Sequence, residues 1–134
     1  MDVGYGIEDK MIPHLPAFAK MEFGVDLTQV DRRNVIYPTG KYDEVNLYGE
    51  GSRDGQDIFM IGEAKAQPGK KDFDDFSKKL ARLQGVLKGT IESFMVGYQY
   101  TPAVEAYADE RYPQIRRFRT FEITSYQAAS PKTP

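Results

Sequence analysis

The chain has 134 residues, 40% of them hydrophobic, enough for one domain with an ordinary core and no staples. It has no cysteine and a single histidine, which removes disulfides, thiolate nucleophiles and cysteine-ligated zinc, and leaves any Ser-His-Asp or histidine-rich site resting on His14 between Pro13 and Pro16. The formal charge of −2 argues against an overall electrostatic clamp for nucleic acid, although charge can still be segregated by face.

No apolar run approaches the roughly 18 to 20 residues needed to span a bilayer, and the N-terminus lacks a basic region followed by an apolar stretch. A soluble, cytoplasmic protein without membrane contact is expected. The abrupt opening of the chain fits an excised domain whose flanking domain is missing.

Residues 1–14 read as an N-terminal extension, polar and glycine-containing. A short helix is predicted from Pro16, where proline suits the first turn, through Phe18, Met21 or Glu22, and Phe23 to Gly24. Asp31 to Tyr37 reads as a first strand, stopped by Pro38-Thr39-Gly40. A second strand covers Tyr42 to Gly49, with Val45 and Leu47 on one face and Glu44, Asn46 and Tyr48 on the other.

The turn formers Gly51-Ser52-Arg53-Asp54-Gly55 predict a hairpin into a third strand, Asp57 to Ala66, whose run Ile58-Phe59-Met60-Ile61 implies burial on both faces. Pro68-Gly69 breaks that strand, and Asp72, with Asp75 three residues on, is the expected N-cap of a helix. Phe73, Phe76, Leu80, Leu83 and Leu87 give this helix an apolar stripe to lay on a sheet. Ser93 to Tyr100 is a further strand, Thr101-Pro102 opens a helix to about Arg111, and Ile115 to Thr124 is a last strand before a disordered tail, residues 127–134. The order αβββαβαβ predicts an α/β fold, a mixed central sheet flanked by helices, within residues 15–126.

The chemistry concentrates between Tyr42 and Lys65. Residues two apart on a strand share a side, so Glu63 and Lys65 project together while Ala64 faces the interior. With the second strand paired to the third, Glu44 and Asn46 can join them, so Glu44, Asn46 and Glu63 offer oxygen ligands for a hard divalent cation beside a lysine. Those are the ingredients of metal-assisted phosphodiester hydrolysis.

An acidic strand bearing Asp43, Glu44 and Asn46, then Glu63-Ala64-Lys65 ending the next, then a helix from about Asp72, resembles the PD-(D/E)XK nuclease superfamily over residues 15 to 124. The resemblance implies a restriction-endonuclease-like sheet with the site at the forked ends of the second and third strands. It implies catalysis by Glu44, Glu63 and Lys65 with Mg²⁺ or Mn²⁺, Lys65 stabilising charge on the phosphate or positioning the attacking water. Nucleic acid, in the first instance DNA, would be the substrate, and a homodimer would follow the habit of such enzymes of cutting two strands as a pair.

Two frames remain open for the first acid. If Val45 and Leu47 are the core positions, the ligand is Glu44; if Asn46 followed by Leu47 is the frame, an amide replaces the acid. The domain would then be a catalytically degenerate nuclease-fold module for binding nucleic acid or protein. Asp43 points away from the site under strict alternation unless a bulge intervenes. In an unrelated α/β domain Glu63 and Lys65 would simply pair.

Glu22 matches the region of an additional acidic ligand in some members, and Gln84 that of a helical glutamine. Lys71, Lys78 and Arg82, with Lys70, Lys79 and Lys88 nearby, read as a solvated helix face that offers phosphate contacts as its alternative. Arg116, Arg117 and Arg119 interleave with Phe118 and Phe121, which suits either nucleic acid or a charge-protected edge strand. Tyr98 and Tyr100 read as core and sheet-rim residues with base stacking as the alternative. Gly49-Glu50-Gly51 and Gly62 lack a following helix at the needed spacing and make no phosphate loop.

Overall fold

Alternating apolar residues in the strands supply both faces of one sheet, and helices close each face. The computed structural model of the protein describes residues 6–129. Its strands are β1 (Asp26–Ile36), β2 (Tyr42–Arg53), β3 (Gln56–Ala64), β4 (Thr90–Gly97) and β5 (Ile115–Arg119), in that spatial order. β1, β2 and β3 form an antiparallel meander. β4 and β5 then add in parallel, each reached by a crossover helix, α3 (Lys70–Gln84) and α4 (Pro102–Arg111). The expected α/β class with a mixed sheet is therefore observed.

Leu47, Ile58, Met60, Ala64, Phe94, Val96 and Phe118 face one side and pack with Leu15, Phe18 and Ala19 of α2 (Leu15–Phe23), Ile7 and Met11 of α1 (Ile7–Met11) and Ile123 of α5 (Thr120–Thr124). Val45, Tyr48, Ile61, Met95 and Ile115 face the other side, against Phe73, Phe76 and Leu83 of α3 and Val104 and Ala108 of α4. Ile58 and Met60 enter the first core and Ile61 the second, which accounts for the continuous apolar run of β3.

The local chemistry departs from expectation at four places. The β2–β3 turn is two residues, Asp54 and Gly55, both at positive φ (54° and 76°), so the strands run on through Arg53 and restart at Gln56. Gly51 lies within β2, where its backbone approaches Asp26 too closely for any residue with a Cβ. Helix α3 begins at Lys70 with Gly69 as N-cap, while Asp72, at the third helical position, accepts the Gly69 N–H at 2.8 Å. The last strand stops at Arg119, whose N–H goes to Glu122 Oε1 at 2.9 Å, and residues 120–124 turn into α5.

The segment expected as an extension contains α1 and a 3-10 turn (Ile12–His14), and Ile7 and Met11 are each 1% exposed. Ala129 N–H reaches back to the Pro13 carbonyl at 2.8 Å; of the tail expected over residues 127–134, residues 130–134 lie outside the described residues. No helix among the described residues is long and apolar enough to cross a membrane.

One irregularity positions the site. Along β1–β2, Asp31 pairs with Tyr48 and Arg33 with Val45, so two steps on β1 oppose three on β2. The extra residue is a bulge at Asn46-Leu47. It separates Val45, which joins the α3-side core, from Leu47, which joins the opposite one, correcting the expectation that they share a face.

Candidate functional site at the fork of β2 and β3

The β2–β3 ladder ends at the pair Leu47–Gly62, where the bulge carries β2 away from β3. The next inward N–H, that of Ala64, is met by the Asn46 side chain, whose Oδ1 accepts it at 3.1 Å. Asn46 thus continues the ladder in place of a main-chain carbonyl.

Glu63, one residue earlier, points to the α3 side, and its side chain is only 12% exposed. Burial pushes its pKa up; Lys79 opposes the shift most strongly, Lys65 acts in the same sense, and Asp72 adds to the rise. Lys79 Nζ, on a side chain 17% exposed, lies 3.3 Å from Glu63 Oε1 and donates to the Glu44 carbonyl at 2.8 Å. Lys65 sits just past the end of β3, exposed, and enters no ion pair among the described residues.

Asp43 shares the α3 side with Val45, because the bulge lies after both. Its carboxylate is taken by Arg82, from Nε at 2.8 Å and Nη2 at 2.9 Å, and by the Tyr37 hydroxyl at 2.6 Å. The guanidinium holds the Asp43 carboxyl below the usual range, while burial, with the carboxylate beside it, pushes Tyr37 up to about 12. Glu44, between Asp43 and Val45, is exposed, and alternation turns its side chain to the opposite face. Only its carbonyl belongs to the site.

Lys65 is near enough to Glu63 for its charge to act on that carboxyl, Asn46 adjoins them through the Ala64 backbone, and the Glu44 carboxylate is not brought in. Sequence reasoning missed the roles of Lys79 and of the Asp43–Arg82–Tyr37 cluster. A signal existed for Lys79: it follows Phe76 by three and precedes Leu83 by four, on the border of the apolar stripe.

Mg²⁺ and Mn²⁺ call for several hard oxygen donors with at least one or two free carboxylates. Here Glu63 already faces an ammonium, Asp43 is consumed by Arg82, and Asn46 Oδ1 is engaged by Ala64. No group of three His, Cys, Asp or Glu residues able to hold a metal exists among the described residues. The donor set as folded does not fit a divalent cation.

The remaining candidates lie elsewhere. Glu22 belongs to α2, on the far side of the sheet, bound by Arg116 at 2.7 Å and by the Tyr126 hydroxyl, which together lower its pKa. Gln84 is exposed at the end of α3, and Lys71 pairs with Asp75. His14 Nδ1 lies 2.7 Å from the Tyr126 carbonyl, a structural tie. The Tyr100 hydroxyl is buried between the carbonyls of Met95 (2.9 Å) and Phe118 (3.0 Å), so its ring cannot meet a base.

A cleft of about 520 Å³ runs along β5, lined in part by Arg116, Arg117, Arg119 and Phe121. Arg116 and Arg117 are committed to Glu22 and Asp109. Next to it, a smaller groove is lined in part by Met11, Tyr98 and Phe121, with Tyr98 49% and Phe121 61% exposed. A scan against protein-family models finds no matching family, and comparisons with curated proteins and with solved structures find no significant match.

Proposed function

We propose that the protein is a restriction-endonuclease-like domain that binds nucleic acid without cutting it. An antiparallel meander, a crossover helix and parallel strands, with Glu63-Ala64-Lys65 closing β3 at a fork, support the nuclease-like reading. The observation that carries the loss of cutting is the Asn46 hydrogen bond: in the frame that sets Asn46 before Leu47 an amide stands for the first acid, and its oxygen is spent on the Ala64 N–H. Hydrolysis at such a site depends on a metal-activated water, and the fork as folded lacks the carboxylates to hold the ion.

Binding is supported by the end of β5 and the start of α5, where exposed Arg119 lies beside the exposed rings of Phe121 and Tyr98. Aromatic faces with a neighbouring cation favour single-stranded nucleic acid, in which bases are free to stack. Fluorescence anisotropy with labelled single-stranded and duplex DNA tests this. Single strands are expected to bind more tightly, with affinity falling as salt rises, and Phe121→Ala is expected to weaken binding several-fold, since a stacked base contributes about 1–3 kcal/mol. Absence of binding at low salt would remove the nucleic-acid reading.

A second reading, an active nuclease, is favoured by one observation: Glu63 is largely buried with a raised pKa while Lys65 stands exposed and outside any ion pair among the described residues. Plasmid and single-stranded DNA incubated with Mg²⁺ or Mn²⁺ separate the two. Cleavage that disappears in Glu63→Ala and Lys65→Ala would establish the second reading and end the first.

A further inference from the structure

We infer that Lys79 is a tethered cation seated where a divalent ion would otherwise be held, and that removing its charge opens a divalent-cation site; the inference rests on the non-cutting reading above. The ammonium reaches one carboxylate oxygen, Glu63 Oε1 at 3.3 Å, and one main-chain carbonyl, that of Glu44 at 2.8 Å. Both are hard oxygens of the kind Mg²⁺ and Mn²⁺ select, and they come from different strands at the point where the sheet opens.

Charge balance explains why a lysine suffices. Asp43 is neutralised by Arg82 through two hydrogen bonds, the Glu44 carboxylate is turned away, and Asn46 is neutral, so one buried negative charge, Glu63, remains to be matched. A single ammonium matches it, and a divalent ion entering beside that ammonium would leave a large excess of positive charge in a largely buried place. Tethering adds a second advantage. Lys79 is held on α3, whose Phe76 and Leu83 are fixed in the core, so its effective concentration at Glu63 exceeds that of a free ion at millimolar levels.

With the ammonium gone, Glu63 and the Glu44 carbonyl become free donors, and an Asn46→Asp change would add a second carboxylate at the fork. Isothermal titration with Mn²⁺, and the electron paramagnetic resonance signal of free Mn²⁺, test this on the wild type, Lys79→Ala, Lys79→Met, and Lys79→Ala combined with Glu63→Gln. The wild type is expected to leave the Mn²⁺ signal unchanged. Lys79→Ala is expected to bind one Mn²⁺ at least tenfold more tightly than the wild type, tighter still with Asn46→Asp added, and the combination with Glu63→Gln is expected to lose it.

Because Lys79→Ala strips the counter-charge from a buried acid, thermal melting gives a parallel readout. Mn²⁺ is expected to raise the melting temperature of Lys79→Ala and leave the wild type unmoved. Should Lys79→Ala fail to fold in chelator, Lys79→Met, apolar but similar in length, takes its place in both measurements. Equal Mn²⁺ affinity in wild type and lysine variants would overturn the inference, as would folded variants that neither bind Mn²⁺ nor gain stability from it. These outcomes are read from ion binding alone, whereas the non-cutting reading fails through Glu63-dependent cleavage by the wild type.

Discussion

Asn46 shows how one side chain serves the backbone and limits the chemistry at once. Its Oδ1 satisfies the Ala64 N–H where the ladder parts, so Asn46→Leu is expected to leave that donor unpaired and to cost about 1–3 kcal/mol in urea denaturation. Asn46→Asp keeps an acceptor and should cost less; equal losses in both would mean that the hydrogen bond is not what Asn46 supplies. Glu63 carries a pH signature. Its folded pKa is raised above the ordinary 4.5, so between 4.5 and that higher value the folded protein keeps a proton that the unfolded chain releases. Stability is therefore lost as pH rises through this window. Buried Glu8 acts in the same direction, while Asp43 and Glu22, whose values are lowered, contribute stability that is lost as pH falls. Glu63→Gln should remove its share, so that variant and wild type differ most in the slope of stability above pH 4.5. Identical slopes would contradict a raised value.

At the scale of elements, α3 is fastened to the sheet by an apolar stripe and a polar border. Phe73, Phe76 and Leu83 stand in the core, while Lys79 and Arg82 reach down to Glu63, the Glu44 carbonyl and Asp43. The stripe was legible because a spacing of three and four over Phe73, Phe76, Leu80 and Leu83 reads as a helix, although Leu87, expected to continue it, lies past the helix end at Gln84. The border was not, since Lys79 and Arg82 look like any solvated lysine or arginine until the strand beneath is known. The bulge at Asn46-Leu47 was likewise invisible: an alternating pattern carries no mark of the one extra residue that moves Asp43 onto the α3 side and Glu44 off it. Glycine was informative in a different way. Gly62 precedes Glu63 and lies against Phe94, whose ring would stand 2.5 Å from a Cβ added there. Both partners are in the buried sheet centre, so Gly62→Ala must push the Phe94 ring or the strand, at about 1–3 kcal/mol, and should shift the Glu63–Lys79 contact with it. A denaturation midpoint within error of the wild type would mean that the ring relaxes freely.

For the molecule as a whole, the order of elements was legible almost throughout because each crossover helix separates two apolar strands. The packing of residues 7–11 into the core was not. Ile7, Met11, Leu15 and Phe18 follow one another at intervals of four, four and three, the spacing of a single helical stripe, but Pro13 and Pro16 within it suggested an extension followed by a short helix. The structure reconciles the two. Each proline occupies an opening turn, Pro13 in the 3-10 segment and Pro16 in α2, so the missing N–H groups cost nothing and the chain bends while keeping its apolar side on the sheet. Ile7 and Met11 then belong to the same core as Phe94 and Phe118, and Glu8, paired with Arg32 of β1 at 2.9 Å, ties the segment to the edge of the sheet. Met11→Ala is accordingly expected to cost about 2–5 kcal/mol, the range for a buried methionine, rather than the few tenths typical of an extension. Ile7→Ala should behave alike, and because the two residues share one core their combined effect should depart from the sum of the separate losses. Unfolding midpoints in urea measure this directly. Unchanged midpoints for both variants would return residues 7 to 11 to the status of an appendage and leave α2 as the first element of the fold.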